Sequence, residues 1–225
     1  MIKGIFITGT DTGVGKTYVA CGIARELRNQ GIDVGVMKPA ETGCGMRNGV
    51  LYPKDARALA RSAEVHDSIR RINPYRFRTP VAPLVAAGLE RKRIDPARII
   101  RCYKALSEKH DFMIVEGAGG ILVPLRRDMT FLDLCREIGL PVLIVARPNL
   151  GTINHTLLTV QALQQSRIPV AGICINDSRG ARRGVAERTS LAVIEDLSKA
   201  PVLDRIGHGM HDFRNLANRL MSLRM

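Results

Sequence analysis

Six short runs of hydrophobic residues punctuate the chain, at 3–8, 33–37, 112–115, 142–146, 170–175 and 202–206. Val142-Leu143-Ile144-Val145-Ala146 is representative: it is apolar throughout, with no alternation. A strand without a polar face is covered on both sides, as in a parallel sheet between two helical layers. The segments between these runs carry helical spacing, at 16–28, 54–63, 96–108, 130–138, 153–166, 181–198 and 211–223. Phe213, Leu216, Leu220 and Leu223 mark one apolar face of the last helix. Asp95-Pro96 supplies an N-cap and a proline at the first helical position. Alternating strands and helices predict an α/β fold with a mostly parallel sheet and helices on both faces. No repeat, low-complexity stretch or linker interrupts residues 1–225, so a single domain is expected.

Composition narrows the function classes. A chain of 225 residues with 45% hydrophobic content can bury a sizeable core and is not disordered. None of its apolar runs approaches the ~20 residues of a membrane helix, and no membrane partner is expected. Met1 leads almost directly into the first strand, leaving no room for a secretory leader. The five cysteines (21, 44, 102, 135 and 174) show no C-x-x-C spacing, which predicts reduced thiols in a cytoplasmic protein. Cys44, flanked by glycines, is expected to be the more exposed one. The formal net charge is +13, with basic clusters at Arg70-Arg71, Arg91-Lys92-Arg93, Arg126-Arg127 and Arg179 to Arg188. Such charge suits nucleic acid or a solvated surface that attracts anionic substrates. Aromatics make up 4% and do not interleave with the basic runs, so the second reading is favoured and no nucleic-acid partner is expected.

The most specific chemistry lies in GTDTGVGKT, Gly9 to Thr17, between an apolar strand and a helix. Its form is that of the phosphate loop G-x-x-x-x-G-K-[ST], with Gly9 read as the opening glycine. Gly13, Val14 and Gly15 would wrap backbone N–H groups around a phosphate at a positive helix terminus. Lys16 would reach the β- and γ-phosphates of a nucleotide, and the Thr17 hydroxyl would ligate magnesium. In open parallel sheets ligands bind at the carboxyl ends of strands. Lys38, Glu116, the 147–156 loop and Asn176-Asp177 follow strands on that edge. Glu116 ends a hydrophobic strand, where nucleotide-cleaving enzymes place a magnesium-handling carboxylate. Asp55 begins a helix; complementing its dipole and handling the metal are both open to it. Lys38 is either a solvated strand end or a cation for a developing anion. His155 needs no chemistry beyond a helix start, and His208 and His211 lack a third metal ligand nearby.

Taken together, GTDTGVGKT, KPAETG, PKDA, NPYRF, VEGAGG, LGTINHTLLT and Asn176-Asp177 resemble the dethiobiotin synthetase family in order and spacing over roughly the first 177 residues. The resemblance implies a P-loop NTPase-like fold. It also implies ATP-dependent closure of 7,8-diaminopelargonate and carbon dioxide to dethiobiotin, through a carbamate and a carbamic-phosphoric anhydride. By position, Lys16 and Lys38 match the catalytic lysines, and Thr17, Asp55 and Glu116 match the magnesium environment. Gly119 falls in the nucleotide site, and Asn176, Asp177, Ile206 and Gly207 fall at its adenine end. Thr12 and Thr42 match substrate-contacting hydroxyls. The family's homodimer implies that Leu150, Gly151 and Asn154 serve the neighbouring subunit's substrate carboxylate from a helix N-terminus, which Thr152 or Asn154 would cap.

This chain departs from the family pattern at Leu84, at the adenine end and in the unusual arginine-rich stretch 179–188. Leu84 stands where histidine is frequent, and Asp204 and Gly207 occupy the positions of the glycine and proline that shape the adenine pocket. Weak discrimination among nucleotide bases is therefore expected.

Two other readings share the loop. A DNA-partitioning ATPase would carry K-G-G-x-G-K-T, but Asp11 and Thr12 occupy the first two of those positions. An amidoligase of the cobyrinate amide synthase type needs a glutaminase domain, for which 225 residues leave no room.

Overall fold

The computed structural model describes residues 2–177, 180 and 184–223, with backbone alone at 185–188. Six parallel strands build the central sheet: β1 (Gly4–Gly9), β2 (Val34–Met37), β3 (Phe112–Gly120), β4 (Val142–Ala146), β5 (Val170–Asn176) and β6 (Val202–Ile206). Their spatial order is β6-β5-β4-β1-β3-β2. β1 therefore lies between β3 and β4, with Ile5 beside Ile114 and Phe6 beside Val142.

The unalternating strand sequences have the cause their composition suggests: both faces are covered. Side chains point alternately to opposite faces along a strand. In β1, Phe6 enters one apolar layer while Ile5 and Ile7 enter the other, all fully buried. The Phe6 layer is closed by α4 (Pro83–Leu89), α5 (Pro96–Ser107), α6 (Phe131–Ile138), α7 (Thr152–Gln165) and α8 (Val185–Ser198). The opposite layer is closed by α1 (Lys16–Asn29), α2 (Lys54–Ser62) and α9 (Arg214–Met221). The helix expected over 211–223 spans Arg214–Met221, with Phe213 at its N-cap and Leu223 beyond its end, yet the apolar residues pack together: Phe213, Leu216 and Leu220 are buried, and Leu223 packs beside them. Asp95 caps α5, accepting from the Ala97 N–H at 3.0 Å, with Pro96 at the first helical position.

Several local expectations change. Two short helices lacked a sequence signal, α3 (Ile69–Ile72) and α4. A small parallel ribbon pairs Ala40–Glu41 with Tyr75–Arg76, and an antiparallel hairpin joins Gly45–Arg47 to Val50–Tyr52. Cys44 is buried rather than exposed, because its N–H donates to the Phe77 carbonyl at 2.9 Å and folds the glycine-flanked loop inward. The helix expected from residue 181 is described from Val185; Arg179, Arg182 and Arg183 lie outside the described residues, as does the side chain of Arg188.

Candidate active site

The site opens at the carboxyl ends of β1, β2 and β3, around a cavity of about 490 Å³. One correction concerns the loop itself. Gly9 closes β1, and the five residues 10–14 separate it from Gly15, so the loop is one residue longer than the four-spacer motif. The critical end of the motif is unaffected. Gly15 has a left-handed φ of 94° and forms the N-cap of α1 without a side-chain cap bond, leaving first-turn N–H groups for an anion. A Cβ on Gly15 would lie 1.9 Å from Asn176 Nδ2, so only glycine fits.

The loop is fastened by contacts the sequence did not reveal. Asp11 Oδ2 accepts from Arg147 at the end of β4 (2.8 Å), while Oδ1 accepts from the Thr12 N–H (2.6 Å). The Asp11 carbonyl accepts from Lys16 Nζ at 3.1 Å. Burial, reinforced by the nearby Lys38 ammonium, lowers the Lys16 pKa to about 8.

The charged centre is a buried cluster. Lys38, 3% exposed, donates to Glu116 Oε1 (2.6 Å) and to Asp55 Oδ2 (3.0 Å). The Thr17 hydroxyl donates to the same Glu116 oxygen at 2.7 Å. Burial alone would depress the Lys38 pKa, but the Glu116 and Asp55 carboxylates outweigh it and hold the ammonium firmly charged. Lys38 is thus a buried, paired cation rather than a solvated strand end. Glu116 is 1% exposed, and its Oε2 has no hydrogen-bond partner among the described residues. A hydroxyl and two carboxylates, one of them with an orphaned oxygen, form a hard oxygen donor set of the kind that suits magnesium beside nucleotide phosphates.

Two further residues position this cluster. Asn73, fully buried, donates to the Lys38 carbonyl at 2.6 Å and fixes the end of β2. Glu41 accepts from the Asp55 and Ala56 N–H groups, both at 3.0 Å, and so caps α2, whose N-cap Pro53 has no capping side chain. Burial raises the Glu41 pKa, opposed by the Ala56 N–H. Asn73 opens NPYRF and Glu41 sits inside KPAETG, so the motifs contained both residues without revealing their roles.

The cavity gathers Thr12, Gly13, Gly15, Lys16, Thr17, Lys38, Thr42, Asp55, Glu116 and Gly119 from the sequence expectations. Pro80, Val81, Ala82 and Pro83, leading into α4, add an apolar wall that sequence reasoning missed. The adenine-end residues do not line it. The Asn176 amide donates to the Val14 carbonyl at 2.8 Å and leaves its buried Oδ1 without a hydrogen-bond partner among the described residues. Asp177 N–H donates to the Ile206 carbonyl at 2.8 Å, joining β5 and β6 next to Gly207.

Leu150, Gly151 and Asn154 are exposed and also lie outside the cavity lining, with Leu150 87% exposed. The expected cap of α7 is corrected. Gly151, with φ 92°, takes the N-cap position, and no side chain caps the helix. Its left-handed turn places Thr152 inside the first turn, where the Thr152 N–H donates to the Asn149 carbonyl at 3.0 Å and the hydroxyl is buried without a partner among the described residues.

Comparison with known proteins decides the family. A family model described as "AAA domain" matches residues 3–208. The ATP-dependent dethiobiotin synthetase BioD of Thermodesulfovibrio yellowstonii is 45% identical over 210 residues, covering 90% of this chain and 88% of that protein. The chain belongs to the dethiobiotin synthetase family. The namesake enzyme of Bacillus licheniformis is 43% identical over 90% of this chain and 84% of its own length. That of Methanococcus vannielii is 37% identical over 94% and 89%. The same fold occurs in MinD of Aquifex aeolicus (TM-score 0.58, 16% identity, 99% of this chain and 98% of that one) and in a ParA family ATPase of Chlorobium tepidum TLS (TM-score 0.58, 15%, covering 98% and 100%). The Asp11 carboxylate, bound to Arg147, distinguishes this chain from the lysine-bearing partitioning loop considered above.

Proposed function

We propose that this chain is an ATP-dependent dethiobiotin synthetase, closing 7,8-diaminopelargonate and carbon dioxide to dethiobiotin with release of ADP and phosphate. The observation that carries the reading is the buried Lys38 ammonium between Glu116 and Asp55, facing the same cavity as the phosphate loop. One substrate amine attacks carbon dioxide and loses a proton, giving a carbamate. A carbamate oxygen attacks the γ-phosphorus, and the bond to the bridging oxygen breaks as ADP leaves. The second amine attacks the carbamoyl carbon, the carbon–oxygen bond to phosphate breaks, and the cyclic urea forms with loss of a proton.

Each step is one of positioning and charge compensation. Lys16 and the N–H groups of Gly13, Val14 and Gly15 hold the phosphates. Lys38 meets the negative charge shared by carbamate and γ-phosphate. Thr12 and Thr42 orient the diamine beside the apolar wall of Val81 and Ala82. Thr17, Asp55 and Glu116 are the groups that would hold magnesium, which when bound neutralises phosphate charge. Asn176, Asp177, Ile206 and Gly207 border the base. We place the protein in the cytoplasm, as a single domain acting on small molecules without nucleic acid or membrane. The discriminating experiment is ADP release with and without the diamine. Cleavage requires the diamine, because the phosphate acceptor forms only on bound substrate; diamine-independent ATP hydrolysis stimulated by DNA would favour the partitioning reading.

Base selectivity should be weak. Hydrogen-bond readout rejects analogues strongly only where fixed, desolvated partners meet the base, and Asn176 here spends its amide donor on Val14. GTP or CTP should support turnover within about tenfold of ATP, about 1.4 kcal/mol. Measured kcat/KM ratios of several hundredfold would mean that other residues build a selective pocket.

The working unit is a homodimer with shared sites. The first turn of α7 has no side-chain cap, and beyond the Thr152 N–H, which is spent on Asn149, its N–H groups lie behind the exposed Leu150 and Gly151, which suits a carboxylate. It stands outside the cavity of its own chain, and the diamine carries its carboxylate at the far end of an aliphatic chain. Lys16→Ala and Asn154→Glu, each inactive alone, should therefore complement after subunit exchange. One site of each heterodimer is intact, so activity per heterodimer should reach about half of wild type. Demonstrated exchange without recovery would rule out sharing.

A further inference from the structure

A second cavity, of about 540 Å³, shares no lining residue with the first. It lies where Tyr75–Arg76 of the small ribbon meets the hairpin Gly45–Tyr52 and the start of α5. Its charge is one-sided: Arg70, Arg76, Lys92, Arg93 and Arg98 line it, and no carboxylate does. Lys92 is paired with Glu90 at 2.8 Å. The four guanidinium groups have no ion-pair partner among the described residues. Arg98 is held 5.2 Å over the Tyr75 ring, and Tyr75 is itself anchored by accepting the Asp95 N–H at 2.7 Å. Burial holds the Arg76 guanidinium below its ordinary pKa, the Cys44 thiol opposes this, and Arg70, Arg98 and Arg57 add to the lowering. Like charges gathered in one cavity are unfavourable without an anion among them. The remaining wall is apolar, from Met46, Val50 and Leu51.

We propose that this cavity binds an organic di- or triphosphate, its phosphates held by Arg70, Arg76, Arg93 and Arg98 and its apolar body lying on Met46, Val50 and Leu51. Planar guanidinium forks match phosphate oxygens bidentately. A lone carboxylate would compensate only one of these charges, whereas a diphosphate compensates most of them. Nucleic acid fits less well, because a duplex presents its charge along an extended backbone, while this site is a small-molecule-sized concavity. The cavity is also continuous with the catalytic ribbon: Tyr75–Arg76 pairs with Ala40–Glu41, the strand that carries Glu41 and Thr42 to the first cavity.

The test uses calorimetric titration of inorganic pyrophosphate and of uridine diphosphate into Lys16→Ala protein, in which the phosphate loop lacks its cation. Adding Arg70→Gln and Arg98→Gln, both exposed side chains, should weaken pyrophosphate binding at least tenfold at unchanged Tm. A charge-matched control, Arg61→Gln with Arg136→Gln, should stay within about twofold, since its arginines lie outside the cavity. Uridine diphosphate should bind this site at least as tightly as pyrophosphate. Equal weakening by the two pairs would reduce the effect to general surface charge, and no weakening by the cavity pair would remove the site. Weaker binding of uridine diphosphate would exclude an organic ligand. A 20-base-pair duplex whose binding alone falls in the cavity variant would make the face a nucleic-acid surface instead.

Discussion

Lys16→Ala is expected to lower kcat/KM by on the order of 10²–10³, the cost of removing one preorganised charge from a transferring phosphate. The effect should be confined to catalysis and nucleotide binding. Burial and the Lys38 ammonium hold the Lys16 pKa at about 8, against an ordinary 10.5. The fold thus disfavours the Lys16 charge at neutral pH, and its removal should not lower Tm. Steady-state kinetics paired with thermal unfolding checks both halves. Near-normal turnover would remove the phosphate-loop assignment, and a large fall in Tm would mean that Lys16 holds the fold rather than the phosphate.

Lys38→Met should behave differently, losing activity and stability together. Lys38 is the shared cation of Glu116 and Asp55, and Glu116 is almost fully buried. Removing one partner of a buried ion pair leaves an uncompensated charge, at a cost of about 3–5 kcal/mol. In a protein of this size that lowers Tm by roughly 10 °C. Adding Glu116→Gln removes the stranded charge. The double variant should recover most of the lost Tm but none of the turnover, because both the cation facing the carbamate and a carboxylate of the proposed magnesium site are missing. A single variant with wild-type Tm would mean that Glu116 finds another partner or is protonated. A double variant regaining activity would show that Lys38 and Glu116 both serve only the fold.

The sheet could be read from the sequence because burial on both faces erases alternation, as Ile5-Phe6-Ile7 and Val142 to Ala146 illustrate. The helices α3 and α4 escaped notice for physical reasons. Ile69–Ile72 is a single turn, too short for periodicity, and Pro83–Leu89 is rich in small residues with Pro80 and Pro83 at its entrance. In the site, Lys16, Thr17 and Lys38 were legible because each follows a strand on one edge of the sheet; Glu116, expected to follow a strand ending at 115, instead lies within β3, which runs on to Gly120. The residues that hold them were not. Glu41 caps a helix that begins thirteen residues later, and Asp11 meets Arg147 across 136 positions, so only folding brings these partners together. Cys44 failed for the same reason: its glycine neighbours suggested a surface loop, but the pairing of its N–H with Phe77 draws it inside.

The most direct test of the proposed reaction is to supply ¹³C-labelled bicarbonate, 7,8-diaminopelargonate, ATP and magnesium, and to follow ADP and dethiobiotin together by mass spectrometry. The expected result is one ADP per dethiobiotin, with the label at the ureido carbonyl and no ADP released when the diamine is withheld. ADP formed at the same rate without the diamine, or in its presence with no labelled dethiobiotin, would contradict the account.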